Sequence, residues 1–334
     1  MRKQIIISFD YELFFGDRAG SVENSIIKPT NRLLDCLDSL REKGNFFVDY
    51  LMLKYLEQEK EERAKNDLRL LKNQIRNIVE RGHRIELHIH PHWIDAKYKG
   101  NGVWDFRDFS HYMISTLSED VIVSLFKEGV DYLNSLAREV DSSYSMCAFR
   151  AGGWAVQPFC AIKAALYNNQ LLIDSSSAYG RCCTNVEQYY DFTNMPSKEK
   201  YRFSDDVCIE DIRGDFLEIP ITTYKCNFIN ILFQGISART HMVDRLTDGT
   251  HNRNYGSSTK HNTELKNRFR RSYQMFTFSQ TNPLNVILFN LQNKRELCCY
   301  IDHPKDFSRM TLLNIKLACL FGSTITYKEL AGNI

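Results

Sequence analysis

Three histidines fall at every second position of the run ELHIHPHW, residues 86–93: His88, His90 and His92. The whole chain has nine histidines, so a third of its imidazoles sit in this one stretch. Two neutral imidazoles and one carboxylate form a catalytic zinc shell that keeps a position open for water. Such a centre lowers the pKa of that water and polarises a substrate carbonyl. A second carboxylate then takes a proton, and a separate histidine supplies one to a leaving group. Asp10, Glu12, His88, His92, Arg150 and His303 together contain all of these parts. If the strand continues through the run, His88 and His92 share a direction. His90 is expected to point away from both, in a structural role.

These residues need elements that bring them together. Asp10 and Glu12 follow the apolar run IIISF (5–9), and the histidines follow RIEL. Arg150 follows MCAF, Asp174 ends QLLI, Glu218 lies in FLEIP, and His303 follows CCYI. Each run reads as a buried strand, and NFFV (45–48) is another. Between them lie helical patterns at 29–44, 54–81, 116–140, 157–169 and 306–322. Gly44 is the expected stop of the first, and Thr116 with Glu119 the expected capping box of the third. Strand–helix alternation predicts an α/β fold with a parallel sheet and outer helices. About seven units suggest a closed or nearly closed (β/α) barrel, in which the C-terminal ends of all strands meet at one face. Residues nearly 300 positions apart then share one pocket.

Bulk properties narrow the classes. Lys and Arg number 43 and Asp and Glu 41, so the net charge of +2 favours neither a polyanionic nor a polycationic partner. The segment 238–272 is polar and partly basic. With few aromatics and acids interspersed, it reads as a solvated insertion ending in a helix rather than a nucleic-acid patch. The N-terminal apolar stretch is too short for a signal-peptide core, and no run approaches the roughly 20 apolar residues of a membrane span. A cytoplasmic protein with reduced cysteines is therefore expected. No internal repeat or low-complexity linker divides the chain, so residues 1–334 read as a single domain.

The motifs together resemble the polysaccharide deacetylases, carbohydrate esterase family four. GHRIELHIHPHW is similar to the family's second motif, SFDYE to the first, FRAGGW to the arginine motif, IDSS to the fourth and YIDHPKDF to the closing His-Pro motif. LEIPITT and NFFV match further runs, all in family order over about 5–305. The nearest subgroups are those of surface-polysaccharide and O-antigen gene clusters.

The resemblance implies a distorted (β/α) barrel, usually of seven parallel strands, that removes N-acetyl groups from sugars with a divalent metal, zinc first among the candidates. It implies Asp10 as base, His88 and His92 as ligands, Arg150 orienting Asp10, His303 as general acid and Asp174 positioning it. Gly153 would offer an oxyanion contact, and Trp93 and Trp154, which adjoin the motifs, would stack on a sugar ring. The family's metal-binding aspartate is Tyr11 here. Glu12 is the nearest substitute, as ligand beside Asp10 as base or with the two roles exchanged. The rival readings are a metal-independent amidase on a small C–N substrate and a barrel that binds glycans without turnover.

Overall fold

The computed structural model describes residues 3–252 and 273–332. Nine strands form one sheet: β1 (Lys3–Tyr11), β2 (Asn45–Asp49), β3 (Arg84–Ile89), β4 (Ala148–Ala151), β5 (Ile173–Asp174), β6 (Tyr201–Phe203), β7 (Phe216–Glu218), β8 (Leu297–Asp302) and β9 (Gly322–Thr324). Their order is β6-β7-β5-β4-β3-β2-β1-β8, with β9 pairing beside the start of β1. Seven of them, from β7 through β1 to β8, run parallel in chain order, as expected for the (β/α) barrel. Only β6 is antiparallel.

The strands are apolar because both faces are covered. Along β1, Ile5, Ile7, Phe9 and Tyr11 pack outward into the main core shared with the helices. Ile6 points inward with Phe47, Ala148, Ile173, Leu217 and Cys299. Alternation then carries Ser8 and Asp10 onto the same inner face as Ile6. A short helix near the C-terminus, Tyr327–Ala331, fills that interior with Tyr327 and Leu330.

The ring closes irregularly. Between β7 and β8 there is no ladder. Instead Thr222 N donates to Cys299 O at 2.8 Å and Cys299 N donates to Thr222 Oγ1 at 2.9 Å. This is the distortion of the barrel.

Several local expectations differ. Helix α1 (Lys28–Leu40) ends where Arg41 turns left-handed at φ 58°, before Gly44. The long charged helix is two, α2 (Tyr50–Gln58) and α3 (Glu62–Glu80). Helix α4 (Glu119–Arg138) has Ser118 as its N-cap, and Thr116 Oγ1 bonds Met113 O instead of closing a capping box. Helix α5 is Cys160–Asn168. Three helices follow: α6 (Phe228–Arg239) and α7 (Pro283–Gln292), neither legible in advance, and α8 (Thr311–Phe321). Of the polar insertion, 253–272 with its expected helix lies outside the described residues. No helix among the described residues is long and apolar enough to cross a membrane.

Candidate active site

Strand register builds one row of polar side chains at the upper end of the sheet. Asp49 of β2 stands opposite His88 of β3, and His88 opposite Arg150 of β4. Glu12, just beyond β1, reaches into this row. Its Oε2 lies 3.1 Å from His88 Nε2 and 2.6 Å from His90 Nε2. One donor atom from each of Glu12, His88 and His90 falls within 4.8 Å of the others, and all three residues are buried.

His90 therefore joins His88, and His92 does not. Side chains two apart on a strand share a face, so His88 and His90 both point inward. The strand ends at Ile89, and Pro91 starts a 3₁₀ turn over Pro91–Asp95. That turn rotates His92 into a box of aromatic rings, with Phe15 at 4.1 Å, Tyr112 at 5.2 Å and Phe106 at 5.6 Å between centroids.

The tautomer of His88 is fixed by its neighbour. Nδ1 sits 2.7 Å from Arg150 O, which only accepts, so Nδ1 donates; Nε2, 3.1 Å from Glu12 Oε2, donates to that carboxylate when the ring is protonated and offers its lone pair to a metal when it is neutral. Burial lowers the basicity of His88, but the carboxylates of Asp10, Glu12 and Asp49 outweigh it and raise its pKa to about 8. For His90 burial dominates over Glu12, and the value falls to about 4. Lys305, also buried, donates to Glu12 Oε1 at 2.6 Å and to Leu13 O at 2.9 Å. Oε2 is left to the two imidazoles. The set suits a divalent ion: its donors need only small shifts to surround an ion with bonds of about 2.0–2.2 Å.

Asp10 lies beside this group. Arg150 Nη1 donates to Asp10 Oδ1 at 2.5 Å. The remaining guanidinium donors reach Ser8 Oγ, Ser175 O, Ser175 Oγ and the Tyr327 hydroxyl, and the group stacks 4.1 Å from the Phe47 ring. Burial pushes the Asp10 carboxyl up, but Arg150, His88 and His303 together hold it below its ordinary value. His303 Nε2 stands 3.5 Å from Asp10 Oδ2 and 3.6 Å from Glu12 Oε1. Its Nδ1 faces Asp306 Oδ2 at 3.5 Å, and Asp306 is also held by Arg245 at 2.7 Å and His251 at 2.8 Å.

Other expected residues divide. Gly153 and Trp154 line the same cavity of about 310 Å³ as Asp10, Glu12, His90 and His303. Trp93 does not. It is fully buried against Trp104 and Phe106, and its Nε1 donates to Asp49 Oδ2 at 2.6 Å. Asp174 is not beside His303. It accepts from Ser176 N and Oγ, and burial raises both its carboxyl and that of neighbouring Glu218. The carboxylate facing His303 Nδ1 is that of Asp306. Tyr11 points outside the barrel, its hydroxyl donating to Gln74 Oε1 at 2.7 Å. Asp49, Lys305, Asp306 and His251 were missed. Asp49, Lys305 and Asp306 carried a signal, the first closing an apolar run and the other two lying within YIDHPKDF; His251 carried none.

No family model matches the chain, and no curated protein does. Among solved structures it is similar to a protein of Mycobacterium smegmatis assigned as a polysaccharide deacetylase, at 13% identity and TM-score 0.48, covering 100% of this chain and 91% of that one. It also has likeness to the catalytic domain of a peptidoglycan N-acetylglucosamine deacetylase from Eubacterium rectale, at 19% identity, TM-score 0.24 and 46% coverage of each chain. A family 4 acetyl xylan esterase from Clostridium thermocellum, solved with a cobalt ion, shares 18% identity at TM-score 0.27, with 53% of this chain and 60% of that one covered. Likenesses of this degree assign neither family nor activity, and the functional reading rests on the chain's own residues.

Proposed function

We propose that the protein is a metal-dependent hydrolase that removes an N-acetyl or similar N-acyl group from an amino-sugar, in surface-polysaccharide or nucleotide-sugar metabolism. The observation that carries this reading is the convergence of three groups in one cavity: Glu12–His88–His90, the Asp10–Arg150 pair, and His303. Glu12, His88 and His90 would hold the metal, zinc first among the candidates. When bound, it supplies polarisation of the amide carbonyl and acidification of water. Asp10, kept ionised by Arg150, takes the proton of the attacking water. His303 lies within reach of the same space and delivers a proton to the departing nitrogen, with Asp306 fixing its ring. Gly153 and Trp154 form the wall against which the sugar lies, the indole offering an apolar face to its ring.

One observation favours a second reading. The Lys305 ammonium occupies an oxygen of Glu12, as expected of a site that hydrolyses a small C–N substrate without metal. Metal content separates the two. About one zinc or cobalt per chain, lost in His88→Ala and His90→Ala but kept in His92→Ala, together with acetate release from N-acetylated amino-sugars, is the expected result. Asp10→Asn should lower that release by roughly 10²–10⁴-fold. A chain that never takes up metal moves the assignment to the second reading.

A further inference from the structure

Helix α6 is arranged inside out, and its neighbours α7 and α8 add exposed leucines beside it. In α6 the buried residues are Asn230 and Ser237. Asn230 Nδ2 donates to Asn285 Oδ1 at 3.0 Å, Asn282 Nδ2 donates to Ser237 Oγ at 2.7 Å, and Gln234 Nε2 donates to Gln280 O. Positions 230, 234 and 237 repeat at helical spacing and form the inner face. Outward point Phe228, Ile229, Ile231, Leu232 and Ile236, each 45–78% exposed. Helix α7 repeats the pattern in part, burying Asn285 and Asn290 beside Val286 and exposing Leu284 and Leu291. Helix α8 buries an ordinary apolar face of Ile315, Ala318 and Cys319 together with Asn314, and adds exposed Leu313 and Leu320 beside them.

A helix on a water-facing surface does the reverse. Helix α3 of this chain buries Leu71, Ile75 and Ile78 and turns Lys65, Arg69 and Glu80 to solvent. The inner amides of α6 and α7 are hydrogen-bonded, so the outward apolar side belongs to the design of the fold. It adjoins the cavity, because Gln280, bonded by α6, is one of the cavity's lining residues.

The charge pattern selects the occupant. Helices α6, α7 and α8 contain no Asp or Glu, in a chain with 41 acidic residues. Their only charges are Arg239 and Lys316, both exposed. Exposed Lys225 and Lys294 stand just before α6 and just after α7. A second copy of this chain would set basic groups against basic groups with no acid among these helices to pair them. An anionic lipid surface meets both features, taking up the apolar side chains and attracting the ammonium and guanidinium groups. No helix among the described residues is long and apolar enough to cross a bilayer. We propose that α6, with the exposed leucines of α7 and α8, docks the protein on an anionic membrane surface.

The test is sedimentation of the full chain with vesicles of phosphatidylcholine alone and of phosphatidylcholine mixed with phosphatidylglycerol. Binding to the mixed vesicles, weakened by high salt, is expected. The double variant Ile229→Glu, Leu232→Glu should lower the partition coefficient by about tenfold or more. Both residues are half-exposed, so its circular-dichroism spectrum should match that of the parent. As a second measurement, a Phe228→Trp variant should be quenched by brominated lipid. Absence of binding to the mixed vesicles, binding indifferent to the double substitution, or an unquenched indole each overturns the proposal. So does a self-association of the parent that the double variant abolishes, which would assign the face to a second copy.

Discussion

His90 and His92 are two positions apart and serve different ends. His90 presents Nε2 to Glu12, while His92 stacks among aromatic rings. His92 was expected as a ligand because the resemblance to the family's second motif places a metal-binding histidine there, and the expectation that His90 points away overlooked that residues two apart on a strand share a face. Pro91 was the visible warning, since a proline ends a regular strand. What seats His90 is Gly152. A Cβ there would lie 2.6 Å from Ile89 O and 2.7 Å from the His90 ring; the backbone oxygen is fixed in β3, so the ring, which lines the cavity, is the part that must give. Gly152→Ala is therefore expected to displace His90, at a stability cost of about 1–3 kcal/mol. Titration with cobalt, followed by its visible absorption, should show metal affinity at least tenfold weaker than in the parent. Asp10, Glu12, Arg150 and His303 were legible because each follows an apolar run. Lys305 lies in the same motif as His303 but a lysine there reads as an exposed charge, and His251 reaches the cavity from a loop whose path no local pattern reveals.

At the scale of elements, the strands were the most legible part. Runs such as IIISF and NFFV are apolar on both faces, and only a parallel sheet covered on both sides requires that. Helices α6 and α7 were missed because their exposed faces are apolar and their buried faces carry amides, the opposite of the pattern that marks a surface helix. One inter-element joint makes a pH prediction. His83, just before β3, accepts from Gly44 N at Nδ1, 3.1 Å, and its Nε2 donates to Asp38 of α1 at 3.0 Å. Burial outweighs Asp38 and lowers its pKa from 6.5 to about 4. Between those values the unfolded chain binds a proton that the folded chain refuses. The contribution of neutral His83 is thus complete above pH 6.5 and is lost as the pH falls toward 4. The loss is about 3 kcal/mol at most. Urea unfolding from pH 7 to 4 should show this slope in the parent, and His83→Gln should flatten it by a comparable amount.

The whole molecule is a seven-strand parallel ring closed by one irregular seam, and its site draws on residues from Asp10 to Asp306. That a ring would gather them was readable from where polar residues follow apolar runs. The seam at Thr222–Cys299 and the Tyr327 plug were not, because both depend on three-dimensional closure rather than local pattern. The Lys305 contact has a consequence for how the site is balanced. Asp10 and Glu12 bring two negative charges into the buried end of the ring, and Arg150 and Lys305 bring two positive ones. These four charges cancel one another before any ion enters, so folding has no need of one, unlike a zinc finger. Chelator treatment is expected to remove metal while leaving the circular-dichroism spectrum intact. A bound dication would make this interior net positive. Acetate and other small carboxylates should then inhibit the metal-loaded protein and bind the chelated one at least tenfold more weakly, a difference that calorimetry on the two forms reads directly.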